Sequence, residues 1–133
     1  MKKDIIERPS TGVEVVIAPR PEDMNGQLWD VWLVNHNGFP LTNILISSRG
    51  YGLVDGREKE TATLRHFVEE LDAKSSHLVE PIQTAIFGIT NEYWLSYNVG
   101  TEMLEKKFIF LPNTIAATAL CKIDVLEREG VTV

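Results

Sequence analysis

Residues 28–48 constrain the fold more than any other stretch, because they read as a strand, a tight polar turn and a second strand. Trp29, Val31 and Leu33 alternate with Asp30, Trp32 and Val34, the period of two of an extended strand whose two faces differ. The next residues carry turn chemistry. Asn35, Asn37 and Gly38 tolerate positive φ, while Pro40 fixes φ and lacks a backbone donor. Ile44, Leu45 and Ile46 then resume an extended run. Strand, turn and strand in this order predict an antiparallel hairpin.

The rest of the chain continues in the same idiom. Residues 1–12 read as an irregular arm, broken by Pro9 and Gly12, and residues 13–133 as one β-sandwich domain. Val13, Val15 and Ile17 share a strand face, and two prolines with Asn25-Gly26 make residues 19–26 a loop. Residues 60–71 fit either of two elements. Leu64, Phe67, Val68 and Leu71 have helical spacing, but Ala62, Leu64, His66 and Val68 also form one face of a strand, the favoured reading. Residues 71–76 then look like a hairpin connection, with residues 78–82 as its return strand. The cleanest strand is 92–99, with Tyr93, Leu95, Tyr97 and Val99 on one face and Glu92, Trp94, Ser96 and Asn98 on the other. Gly100 turns it into a partner bearing Phe108 and Phe110 on one face. Short helical turns are expected within 83–89 and 113–120, and a last short strand at 121–126. Seven or eight strands at this spacing predict an all-β protein, a sandwich of two antiparallel sheets.

Composition narrows the function classes. At 133 residues the chain is long enough to bury a core without disulfides or metal. Its net charge of −6 argues against general nucleic-acid binding, which needs a basic surface to displace counterions. Lys2-Lys3 and Lys106-Lys107 are the only basic pairs. The same charge favours a protein partner with a neutral or basic face. A single cysteine, Cys121, excludes an intrachain disulfide and suits a reducing compartment. No run approaches the roughly 20 apolar residues of a membrane-spanning helix. A soluble, cytoplasmic protein is expected.

No catalytic motif stands out. The histidines are His36, His66 and His77, and their spacing matches no metal signature, so neither zinc nor any other cofactor is expected. Cys121 lies among apolar and small residues and reads as a buried, inert thiol. Glu69 and Glu70 are adjacent, and on a strand would face opposite ways. Gly50-Tyr51-Gly52 lacks the Lys-Ser/Thr of a phosphate loop. The aromatic residues carry more. Trp29 and Trp32 have opposite parity, as do Tyr93 and Trp94, so one of each pair belongs to the core and the other faces out or packs under a loop. Beside an exposed Arg49 and Tyr51, an outward tryptophan would suit protein binding. The candidate contact residues are therefore Trp29, Trp32, Arg49 and Tyr51, with no catalytic, cofactor or metal residues assigned.

Residues 34–46, with Asn35 closing one strand and Pro40-Leu41-Thr42-Asn43-Ile44 opening the next, resemble the middle hairpin of immunoglobulin-like sandwiches of the adhesion and adaptin-appendage type. Across most of its length the chain also resembles a family of small bacterial proteins, some labelled as a phenylalanyl-tRNA synthetase subunit. Asn43, Ser48, Gly50-Tyr51-Gly52, Leu64-Arg65-His66, Ala73-Lys74-Ser75, Asn91-Glu92 and Lys107-Phe108 carry that likeness. The first resemblance implies an immunoglobulin-like fold; the second would imply association with a synthetase. The chain holds no synthetase catalytic motif and is far too short for an aminoacylation domain. The reading is a non-catalytic interaction or accessory module that binds a protein partner or itself. The alternatives are a metal-dependent enzyme using the histidines and a synthetase-associated protein.

Overall fold

Alternating apolar and polar side chains shape nearly every element of the computed structural model, which describes residues 10–133. Most of the arm expected at residues 1–12 lies outside the described residues. The strands in chain order are β1 (Val13–Pro19), β2 (Leu28–Asn35), β3 (Leu41–Val54), β4 (Arg57–Glu60), β5 (Leu64–Leu71), β6 (Ser75–Gln83), β7 (Thr90–Val99), β8 (Glu102–Phe110), β9 (Cys121–Ile123) and β10 (Arg128–Gly130). Among the described residues the helical content is three single 3-10 turns, Thr84–Ile86, Ala117–Ala119 and Asp124–Leu126. The protein is all-β, and its pairings are antiparallel.

A smaller sheet has the order β1-β2-β6. In the larger sheet β3 is central. It pairs along one edge with β7, which pairs in turn with β8; along the other edge it pairs with β5 and, further on, with β4. The core forms where the two sheets face each other. Val15, Ile17, Val31 and Leu33 of the smaller sheet meet Ile44, Ile46, Tyr93, Leu95, Tyr97, Phe108 and Phe110 of the larger. The Tyr93 and Phe110 rings pack edge to face, with centroids 6.0 Å apart. The strand face predicted for residues 93–99 is thus the core face of β7. Residues 60–71 contain a strand, with Val68 and Leu71 in the core. The turn between β7 and β8 has two central residues, and Gly100 at the first supplies the φ of +59° that a tight hairpin turn needs.

Strands β1 and β2 of the smaller sheet are buried on both faces. Its outer side packs Val16 and Val34 against Ile123, with Trp32, Val125 and Leu126 around them. The chain end also pairs with β1: Val131 N–H donates to Ile17 O at 2.8 Å, and Ile17 N–H to Val131 O at 3.0 Å. A Cβ on Gly130 would collide with Val16, so only glycine permits this approach. Two-sided cover explains the nearly unbroken burial from Val13 to Ala18. The one acid within β2, Asp30, is tied down by Arg20, whose Nη2 lies 2.5 Å from Oδ1.

Two expected hairpins are instead crossovers. β2 pairs with β1 and β6, and β3 with β4, β5 and β7, so the turn at 36–40 carries the chain from one sheet to the other. The connection at 72–74 likewise leaves β5 in the larger sheet and enters β6 in the smaller. Periodicity failed here for a physical reason: alternation fixes which face a strand buries, not which strand lies beside it. The fully buried Asn35 joins the two crossovers. Its Nδ2 donates to Phe39 O at 2.9 Å and to Asp72 O at 3.0 Å, while its Oδ1 accepts from Asn37 N–H at 3.0 Å. Lys74 N–H donates to Asn37 O at 3.1 Å across the same corner.

Two substitutions separate these contributions. Leu95→Ala should lower unfolding free energy by about 2–5 kcal/mol, the usual loss for a buried leucine with its cavity. Asn35→Ala should cost about 1–3 kcal/mol for each polar group it strands without water or a partner. Chemical denaturation measures both; a change of a few tenths for either would contradict its assigned role.

Candidate functional site

The outer face of the larger sheet has no covering layer among the described residues. Leu45, Ser47, Arg49 and Tyr51 of β3 point outward, opposite in parity to the buried Ile44, Ile46 and Ser48. The register sets them in rows. Phe67, Leu45, Ser96 and Glu105 form one, and Arg65, Ser47, Trp94 and Lys107 the next. Arg49, Glu92 and Ile109 form a third, and Glu60, Tyr51 and Thr90 a fourth. A groove of about 530 Å³ runs over this face, lined by Leu45, Ser47, Ser48, Arg49, Thr63, Arg65, Glu92, Trp94, Ser96, Glu105 and Lys107. Small serines form its floor beside Trp94, which is 51% exposed. Phe67 is 66% exposed and Leu45 41%, so apolar surface continues to the β5 edge.

The charges on this face are unevenly satisfied. Arg49 Nη1 lies 3.3 Å from Glu60 Oε1 and Arg49 Nε 3.4 Å from Glu92 Oε2. Its guanidinium also stands 4.7 Å from the centroid of the Tyr51 ring, within cation–π reach. The Tyr51 hydroxyl donates to Glu92 Oε1 at 3.2 Å. Partial burial, then the hydrogen bond to Glu92 and its negative charge, push the Tyr51 phenol above its ordinary range, against the opposing pull of Arg49. Among the described residues, Arg65 and Lys107 enter no ion pair.

The four sequence-derived candidates do not converge. Arg49 and Tyr51 are neighbours here, but Trp29 and Trp32 belong to the smaller sheet. Trp29 is half-buried, its ring edge to face with Phe87 at 5.2 Å. Trp32 is the outward member of its pair, yet it lies beneath the C-terminal segment with the Arg128 guanidinium 5.3 Å from its ring centroid. The tryptophan that reaches the open face is Trp94, whose signal was its opposite parity to Tyr93. Arg65 and Lys107 had no comparable signal, because their place beside Trp94 depends on strand pairing.

A second polar cluster joins the sheets at one edge. His66 Nε2 lies 2.6 Å from Glu80 Oε1, and Ser48 Oγ donates to both Glu80 oxygens at 3.1 Å. Glu80 thus links β6 of the smaller sheet to β3 and β5 of the larger. The carboxylate stands between hydroxyl and imidazole, so this is not the order that activates a serine, in which the imidazole contacts the hydroxyl. Burial, with a lesser contribution from the charge of Glu80, pushes the nearby Tyr93 phenol far upward. His36 is separately paired with Glu14 at 2.6 Å, and His77 lies exposed on β6. Among the described residues no three His, Cys, Asp or Glu side chains come together as a metal site. Cys121, expected to be buried, is exposed; its strand lies on the outside of the smaller sheet, with Sγ 3.5 Å from Gly130 O.

Comparison with protein-family models, curated proteins and solved structures finds no match to this chain. Among the described residues no helix is long and apolar enough to cross a membrane.

The Tyr51–Glu92 contact has a testable pH signature. The folded-state pKa is raised, so the stability contributed by the protonated phenol is complete below the ordinary tyrosine value of 10.0 and is lost as pH rises through the folded value. The tyrosinate absorbance missing in Tyr51→Phe should therefore develop at higher pH than for free tyrosine. Glu92→Gln should move that transition downward; an unmoved transition would count against the contact.

Proposed function

We propose that this protein is a non-catalytic cytoplasmic interaction or accessory module, and that it engages a protein partner through the outer face of its larger sheet. One observation carries the reading: Leu45, Phe67 and Trp94 lie exposed on a single face, with Arg49, Tyr51, Arg65 and Lys107 around them. Exposed apolar surface rimmed by polar groups marks interaction sites, and Trp, Tyr and Arg dominate binding energy where partners meet. The separate placement of His36, His66 and His77 supports a binding module over an enzyme using those histidines.

The sheet edge is a weaker candidate than the face. Among the described residues β8 pairs only with β7, leaving an edge nine residues long. Lys106 sits on the inward side of that edge, its Nζ 5.0 Å from the Phe108 ring centroid. An inward-pointing charge is a device that opposes edge-to-edge pairing. The face therefore offers the better surface, whether to a different protein or to a second copy.

The test is site-specific photo-cross-linking. A cross-linkable side chain at Ser96 should capture a reproducible partner from native lysate, while one at Leu78 on the smaller sheet should not. Arg49→Ala with Tyr51→Ala should reduce the Ser96 adduct several-fold in a protein that still unfolds cooperatively above the assay temperature. Equal capture at both positions, or none at Ser96, would defeat the reading.

A further inference from the structure

The row Arg65, Ser47, Trp94, Lys107 spans four adjacent strands, β5, β3, β7 and β8. Neighbouring strands lie about 4.8 Å apart, which places the backbone positions of Arg65 and Lys107 about 14 Å from each other. Both lack an ion-pair partner among the described residues, unlike Arg49. Between them the surface dips over the small Ser47 and rises at the half-exposed Trp94.

An extended peptide advances about 3.3 Å per residue and turns every second side chain to the same side. Side chains i, i+2 and i+4 therefore share a side, and the outer two are about 13 Å apart. That matches the separation of Arg65 and Lys107. The i+2 side chain falls midway, over the junction of Ser47 and Trp94. Resting on the interaction-module reading, we propose that the groove binds an extended acidic segment of a partner protein lying across the strands. Acidic side chains at i and i+4 meet Arg65 and Lys107, and an aromatic or branched apolar side chain at i+2 packs against Trp94.

The neighbouring rows favour this register over others. Glu105 ends the row on one side, so a carboxylate displaced that way meets like charge; on the other side the β8 position is Ile109 and Arg49 is already paired with Glu92, so a carboxylate displaced there finds no unpaired cation. Glu105 beside the row disfavours a nucleic-acid strand, whose charge is continuous along its length. The chain's net charge of −6 favours basic partners at long range, but at contact distance the local charges of this row govern.

The experiment is a fluorescence-anisotropy titration of the full chain. One labelled peptide has the core Ser-Glu-Ser-Phe-Ser-Glu-Ser; a second has the same composition with its two glutamates adjacent. The spaced peptide should bind more tightly and should weaken as salt rises. Arg65→Ala with Lys107→Ala should lower its affinity by up to about tenfold, the scale of two exposed charge pairs. Trp94→Ala should lower it by more than about tenfold, as expected of a central aromatic anchor. Equal binding of the two peptides, no binding of either, or indifference to the double variant would overturn the proposal. Displacement of the spaced peptide by an equal concentration of oligouridylate would also overturn it, in favour of general anion binding. A Ser96 cross-link to a partner, without preference for the spaced peptide, would leave the module reading standing and remove this one. Failure of both experiments would remove both.

Discussion

The buried side chain of Asn35 holds together the two places where the chain leaves one sheet for the other. Its amide nitrogen donates to carbonyls in both crossovers, and its oxygen accepts from Asn37 N–H in the first of them. An apolar side chain of the same size could fill the volume but would leave those groups unpaired, a cost larger than the packing could return. With the corner fixed, β2 faces β3 across the core rather than lying beside it. The inward residues of both sheets then interdigitate, and Leu95, Tyr93 and Phe108 acquire their neighbours.

The two sheets end in different conditions. The C-terminal segment covers the smaller one, so Val16 and Val34 find an apolar environment on the side away from the main core. The outer face of the larger sheet has no such cover among the described residues, and it is there that Trp94, Phe67 and Leu45 meet solvent. An exposed aromatic on an isolated strand has little meaning, since folded proteins expose much apolar surface. Three such residues on one face, arranged around serines and cations that have no ion-pair partner among the described residues, form a surface with shape and charge.

Charge illustrates how global and local quantities diverge. The chain is acidic overall, which sets its long-range field. On the open face, however, acids and bases are sorted by row. Glu60 and Glu92 neutralise Arg49, and Glu92 also accepts from the Tyr51 hydroxyl, while Arg65 and Lys107 stand apart at the two ends of the tryptophan row. Net charge carries no information about such sorting, because it arises from strand register.

Alternation by itself determined the all-β class and the inward faces of β1, β2, β7 and β8. Each follows from the same local fact, that adjacent residues on a strand point opposite ways and only one set can be buried. It also marked Trp94 as opposite to Tyr93, while the cost of burying an unpartnered charge marked Arg49 as a side chain for solvent. Tertiary structure decided the partners of those strands: that 28–48 is a crossover, that Trp32 lies under the chain end, and that Cys121 lies outside the core. Pairing depends on residues far apart in the chain, through buried groups such as Asn35 and close approaches such as Gly130 to Val16. The candidate site is therefore a product of register. Arg65, Ser47, Trp94 and Lys107 belong to four different strands, and only the ladder between them makes one surface.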